Sequence, residues 1–147
     1  MITARPTTNP ARYARLLALV AGLLDFGTGL GLVFFPTEIL PLMRVQIPTE
    51  DALVYLRFVG AFVAAVGASY LWAIVRCGVE RLRNILEFTI LFRLAAGTFS
   101  AVAIARGWLS PAWASVPATD FALIGIQLWL IAKLPAQDAP SSSPSIR

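Results

Sequence analysis

The sequence predicts an all-α integral membrane protein: a four-helix up-down bundle with both termini cytoplasmic. Three observations carry that prediction. Of the 147 residues, 58% are hydrophobic and only 14% are charged, whereas a soluble domain holds roughly 45–50% apolar and about 25% charged residues. The apolar residues fall in four long blocks, each close to the ~20 residues that cross a hydrocarbon core of ~30 Å. Proline, serine and arginine punctuate the gaps between them. In lipid every backbone polar group must be satisfied within the chain, so such blocks must be helical. A membrane barrel would alternate apolar and polar positions over about 10 residues per strand, and the blocks do not alternate.

Residues 1–15 form a basic N-terminal tail with Arg5, Arg12 and Arg15, broken by Pro6 and Pro10. The first block, 16–35, starts like a secretory signal but runs on without an A-x-A site, so it reads as a retained anchor. It stops at Pro36, and Pro41 and Pro48 keep the next stretch from extending it. Within that stretch Ile39 to Met43 is apolar but too short to span, and is expected at the interface. The second block covers 52–75. A tight basic turn follows, with Arg76, Glu80, Arg81 and Arg83. The third covers 84–105. For the fourth, 115–134, either Ser110-Pro111 or Ser115-x-Pro117 can open the helix, because each sets a capping serine beside an early proline. The tail 135–147 lacks apolar periodicity and reads as a disordered cytoplasmic segment.

Charge sets the expected orientation. Arg5, Arg12, Arg15, Arg76, Arg81, Arg83, Lys133 and Arg147 fall on one side; Arg44 and Arg106 fall on the other, with Glu38, Glu50 and Asp51. Basic residues gather on the cytoplasmic side of short loops. Tyr13, Tyr70, Trp72 and Trp129 then mark the inner interface, and Tyr55, Trp108 and Trp113 the outer one. The net charge of +4 and pI near 10 are accounted for by these flanks, which argues against a nucleic-acid partner. Eleven of the twelve basic residues are arginine, a composition suited to a GC-rich bacterial genome and hence to a bacterial inner membrane.

Chemistry is sparse. The chain has one cysteine, Cys77, and no histidine. An internal disulfide, a CxxC redox pair and the usual zinc and haem ligands are therefore missing. No cofactor, metal site or catalytic residue is expected, and Cys77 reads as a reduced thiol at a helix end. What remains is intramembrane charge, at about 2.5–3.5 kcal/mol per residue near the middle of a span. Asp25, Arg57, Glu87 and Arg93 stand out, joined by Asp120 and Gln127 in the last block.

Helical spacing sorts these groups by face. Asp25 aligns with Ala18, Ala21, Gly22, Thr28 and Gly29. Arg57 aligns with Gly60, Ala61, Ala64, Gly67 and Ala68. Arg93 aligns with Thr89, Ala96, Gly97 and Ser100, while Asp120 and Gln127 lie seven apart on one face. Small residues mark close helix approach in membranes, so each polar group should look inward. Gly27-x-x-x-Gly31 is a further small-residue pair. At 1.5 Å per residue, Asp25 lies roughly 13 Å above the cytoplasmic helix end, level with Arg93 and Gln127. Arg57 and Asp120 lie higher. Two layers are expected: Asp25 with Arg93 and Gln127, and Arg57 with Asp120. Glu87 should pair locally with Arg83.

The run FGTGLGLVFFPTEILPLM and the following YLRFVGAFVAAVGASYLWA, with Leu56-Arg57-x-x-Gly60 and Gly67, resemble the DoxX-like superfamily of small four-span bacterial membrane proteins. The resemblance covers the first half of the chain and implies a four-helix bundle. Some members are linked to thiosulfate–quinone oxidation, an activity for which this chain holds no redox ligand.

Two functions are expected from these features. One is a non-catalytic four-span membrane module, an accessory subunit or small-ligand-binding bundle that works as a homo-oligomer or in a larger membrane complex. The other is a small proton-coupled exporter using Asp25. A lipid-modifying enzyme is a third possibility, and no nucleophile–base pair or metal cluster in the sequence supports it.

Overall fold

A computed structural model describes residues 9–76 and 79–134, of which the side chains of residues 9, 79 and 80 are not described. Expectations for Arg5, Pro6, Cys77, the Glu80 side chain and the tail 135–147 lie outside the described residues. The chain builds helices α1 (Asn9–Phe34), α2 (Pro36–Leu42), α3 (Glu50–Arg76), α4 (Val79–Ala105) and α5 (Ser115–Lys133), with a 3-10 turn at Pro111–Ala114. No strand occurs among the described residues. Four stretches are long and apolar enough to cross a membrane: Pro10–Phe34, Glu50–Arg76, Arg81–Ala105 and Pro111–Lys133.

Helices α1 and α4 begin earlier than the apolar blocks, so Arg12, Arg15, Arg81 and Arg83 sit on helical turns rather than in flanking coil. Arginine is a good helix former, and Pro10 falls in the first turn of α1, where proline is tolerated. At the other end of α1, Pro36 occupies the first turn of α2, where its missing N–H is harmless. The segment expected to rest at the interface thus becomes a short helix. Its Leu40 is fully buried against Leu32 and Val45, closing one end of the bundle.

Two helix ends share one closing geometry. After α4, Gly107 adopts φ +72°, its N–H bonds to the Ile104 carbonyl, and the Trp108 N–H bonds to the Ala103 carbonyl. After α2 the same pair of bonds runs from Arg44 to Pro41 and from Val45 to Leu40, with Arg44 at φ 58°. Both are Schellman ends. At the start of the last span the two openings combine. Ser110 Oγ accepts from the Ala112 N–H at 3.3 Å, the 3-10 turn begins at Pro111, and α5 follows directly from Ser115.

The topology is up-down. Gly29 faces Gly60 and Ala64, while Gly22 faces Gly67 and Tyr70, so α1 and α3 run antiparallel. A Cβ added at Gly29 would stand 2.3 Å from the Ala64 backbone nitrogen, and one at Gly67 would stand 2.3 Å from that of Phe26. The two backbones touch, which only glycine permits. Gly27 meets nothing within 4 Å, and Gly31 abuts Ile39 of α2, so the GxxxG pair is not the seam between long helices. Helices α4 and α5 form the second close pair, and contact between the two pairs is thinner.

The interior inverts the usual soluble pattern. Small and polar residues are inside: Ala14, Ala18, Ala21, Ala64, Ala73, Thr89, Arg93 and Gln127. Large apolar side chains point out, among them Leu23, Phe58, Phe62, Phe88, Leu91 and Phe99. That arrangement suits a surface solvated by lipid, where close approach rather than apolar burial holds helices together.

Candidate functional site

Helix α4 aims its inward stripe, Leu82, Leu86, Thr89, Arg93, Gly97 and Ser100, at the bundle axis. Arg93, midway along that stripe, is only 4% exposed. Its Nη2 donates to Asp25 Oδ2 of α1 at 2.5 Å, and its Nη1 donates to Asp120 Oδ1 of α5 at 2.8 Å. Its Nε donates, at a longer 3.4 Å, to Tyr70 Oη of α3. All three guanidinium nitrogens are engaged, each on a different helix. The guanidinium also lies 5.9 Å from the Tyr70 ring centroid, within cation–π range. A planar fork of donors suits three separate acceptors as a lysine ammonium would not.

A second tier hangs from Tyr70, which is fully buried. Its hydroxyl donates to Thr89 Oγ1 at 2.7 Å, and Thr89 donates onward to the Ile85 carbonyl at 2.8 Å. Gln127 Nε2 donates to Tyr70 Oη at 2.5 Å and to Thr89 Oγ1 at 3.0 Å. The far end of the Gln127 amide, Oε1, is buried without a partner. Amide orientation is interchangeable, so one end of this amide lacks a partner whichever way it is turned. The polar tiers lie between two apolar clusters, one around Ala14, Ala18 and Leu86, the other around Leu40.

The two expected layers are rearranged. Asp120 pairs with Arg93, not with Arg57. The physical reason is the 3-10 turn and loop ahead of α5, which set Asp120 opposite Gly97, where a Cβ would lie 3.2 Å from the Asp120 Cβ. That is one turn above Arg93 and within its reach. Arg57 instead stays exposed on the rim, with Nη1 donating to the Val33 carbonyl at 2.9 Å. It thereby caps one of the orphan carbonyls at the C-terminal end of α1, where a cation is favoured. Gln127 meets Tyr70 and Thr89, and reaches Arg93 only through the Tyr70 hydroxyl. Glu87 pairs with Arg83 Nε at 2.8 Å on the outside.

Tyr70 is the member that sequence reasoning placed wrongly, as an interfacial aromatic. Its signal was available: it continues the Gly60, Ala64, Gly67 stripe by one more turn. Thr89 was visible on the Arg93 face, but its bond to Tyr70 was not. No group of three or more Cys, Asp and Glu among the described residues is placed to hold a metal ion.

The domain of unknown function DUF4345 matches residues 13–131, a span that includes every member of the polar cluster. The chain belongs to the DUF4345 family. No curated protein and no solved structure matches it. In this DUF4345 chain the chemistry on offer is a salt-bridged network, with a carboxylate on each side of one guanidinium and an amide end still open.

Proposed function

We propose that this protein is a non-catalytic four-span module of the bacterial inner membrane, with DoxX-like architecture and both termini cytoplasmic. It serves as an accessory subunit or small-ligand-binding bundle, associated with itself or with a larger membrane complex. The use made of Arg93 supports this reading. Each of its nitrogens is tied to a different helix, so the most conspicuous charge in the core is spent on joining four spans. Four exposed faces rich in phenylalanine and leucine suit a lipid boundary or further helices. Asp25→Asn, Arg93→Gln and the double variant, compared by thermal stability in mild detergent, test it. If each single change destabilises and the double change costs clearly less than the sum of the two, the pair is structural; Asp120, which loses Arg93 as well, keeps the double variant from full recovery. A neutral or stabilising Asp25→Asn means the aspartate is held at a cost to the fold, which sinks the structural pair and favours a ligand or proton site.

A second reading, a small proton-coupled exporter using Asp25, draws on one observation. Two carboxylates, Asp25 and Asp120, share one guanidinium. With both ionised the cluster carries one uncompensated negative charge in a low-dielectric setting, which is costly. Charge balance calls for one more positive charge, either a proton or a bound cation.

A further inference from the structure

The end of the bundle where α1 begins carries a groove of about 550 Å³ between α1 and α3, lined by Arg12, Tyr13, Arg15, Leu16, Leu19 and Ile74. A second groove of about 440 Å³ lies on the other side of α1, against α5. Leu17, Val20, Ile126 and Trp129 help line it, and no charged residue does. Tyr13 and Leu16 border both grooves and form the ridge between them.

Spacing along α1 stacks charge above apolar wall. Arg12 and Leu16 are one turn apart, as are Arg15 and Leu19, on the same side of the helix. No acidic residue lines either groove, and neither arginine is ion-paired among the described residues. A groove with two arginines on its wall, beside an apolar groove across the Tyr13–Leu16 ridge, has the outline of a single anionic phosphate with two hydrocarbon chains. Guanidinium groups bind phosphate oxygens in forked pairs, and basic sites at the membrane surface favour anionic headgroups.

We infer that these paired grooves form a binding site for one anionic diacyl phospholipid, its phosphate on Arg12 and Arg15 and its chains on either side of the Tyr13–Leu16 ridge. The site rests on the membrane reading above and not on its orientation, since the grooves accept a lipid from whichever leaflet reaches them.

Native mass spectrometry of the full chain, delipidated in detergent and then offered phosphatidylglycerol or phosphatidylcholine, tests it. One phosphatidylglycerol should remain bound in preference to phosphatidylcholine. The double variant Arg12→Gln/Arg15→Gln should weaken that binding about 30-fold, roughly a factor of five per arginine. Arg106→Gln, at the opposite end of the bundle, should leave it unchanged. Leu19→Trp keeps both charges but fills one channel, and should also lower retention. Equal retention of the two lipids, or equal loss in Arg106→Gln and in the double variant, would overturn the site in favour of diffuse charge. Occupancy of the grooves by a second copy of the chain, with no lipid retained, would overturn it too. Release of the protein from membranes by alkaline carbonate would instead remove the membrane reading itself.

Discussion

Removing the Arg93 guanidinium leaves Asp25 and Asp120 facing each other without their shared cation, along with a Tyr70 hydroxyl that has lost a donor. Loss of one partner from a buried pair costs about 3–5 kcal/mol, so Arg93→Gln should be the most damaging single change in the cluster. Asp25→Asn and Asp120→Asn each leave the other carboxylate on Arg93 and should cost less. The proton question belongs to the same residues. If the second carboxylate is balanced by a proton, infrared spectra of the purified protein at neutral pH should contain the carbonyl band of one protonated carboxylic acid. That band should disappear in Asp25→Asn or in Asp120→Asn. Two ionised carboxylates and no acid band would leave the exporter reading without its main support. The residue types of the site were legible: Asp25, Arg93, Asp120 and Gln127 are conspicuous because polar groups in apolar blocks need partners. The pairing was not, because rise per residue places a Cα, while an arginine side chain reaches a full turn away from its own.

Among the elements, the α1–α3 pair is built on backbone contact. Gly29 and Gly67 leave no room for even a Cβ against Ala64 and Phe26. Gly29→Val or Gly67→Val should force the helices apart and destabilise by at least the 1–3 kcal/mol typical of overpacking, seen as a lower melting temperature in detergent. Gly27→Val and Gly125→Val, whose surroundings are open, should change stability little. Equal effects at Gly27 and Gly29 would contradict the packing described. The sequence pointed to small-residue faces, and to Gly27-x-x-x-Gly31 as a separate pair. The seam uses the first of these: Gly22 and Gly29 from the Asp25 face, against Gly60 and Gly67 from the Arg57 face. Spacing identified the faces but not how far one slides along the other, because that offset is set by the partner helix.

For the whole molecule, two close helix pairs, α1 with α3 and α4 with α5, meet across the polar cluster. A fixed accessory bundle and a transporter that rocks one pair against the other differ in what they require of that contact. They also differ in topology. Tags on the N- and C-termini should both be shielded in spheroplasts and accessible only after lysis, as the bias of basic residues toward one side implies. A mixed population would favour the exporter, since some small exporters insert both ways.

Hydropathy and charge, as properties of the sequence alone, determined that the chain makes four long apolar helices, roughly where each ends, and that a handful of polar side chains must be turned inward. These follow from local physics: helix length against bilayer thickness, proline and glycine at the ends, and the cost of placing charge in hydrocarbon. Tertiary structure alone decided that the Tyr70 hydroxyl meets Thr89, Gln127 and Arg93, that Arg93 reaches Asp120 one turn above it, and that Arg57 caps α1 instead of joining the cluster. Each of these depends on how far one helix slides along another. Backbone contacts at glycine and the geometry of the connecting turns set that offset, and an offset exists only between two helices, however plainly each one marks its small-residue face.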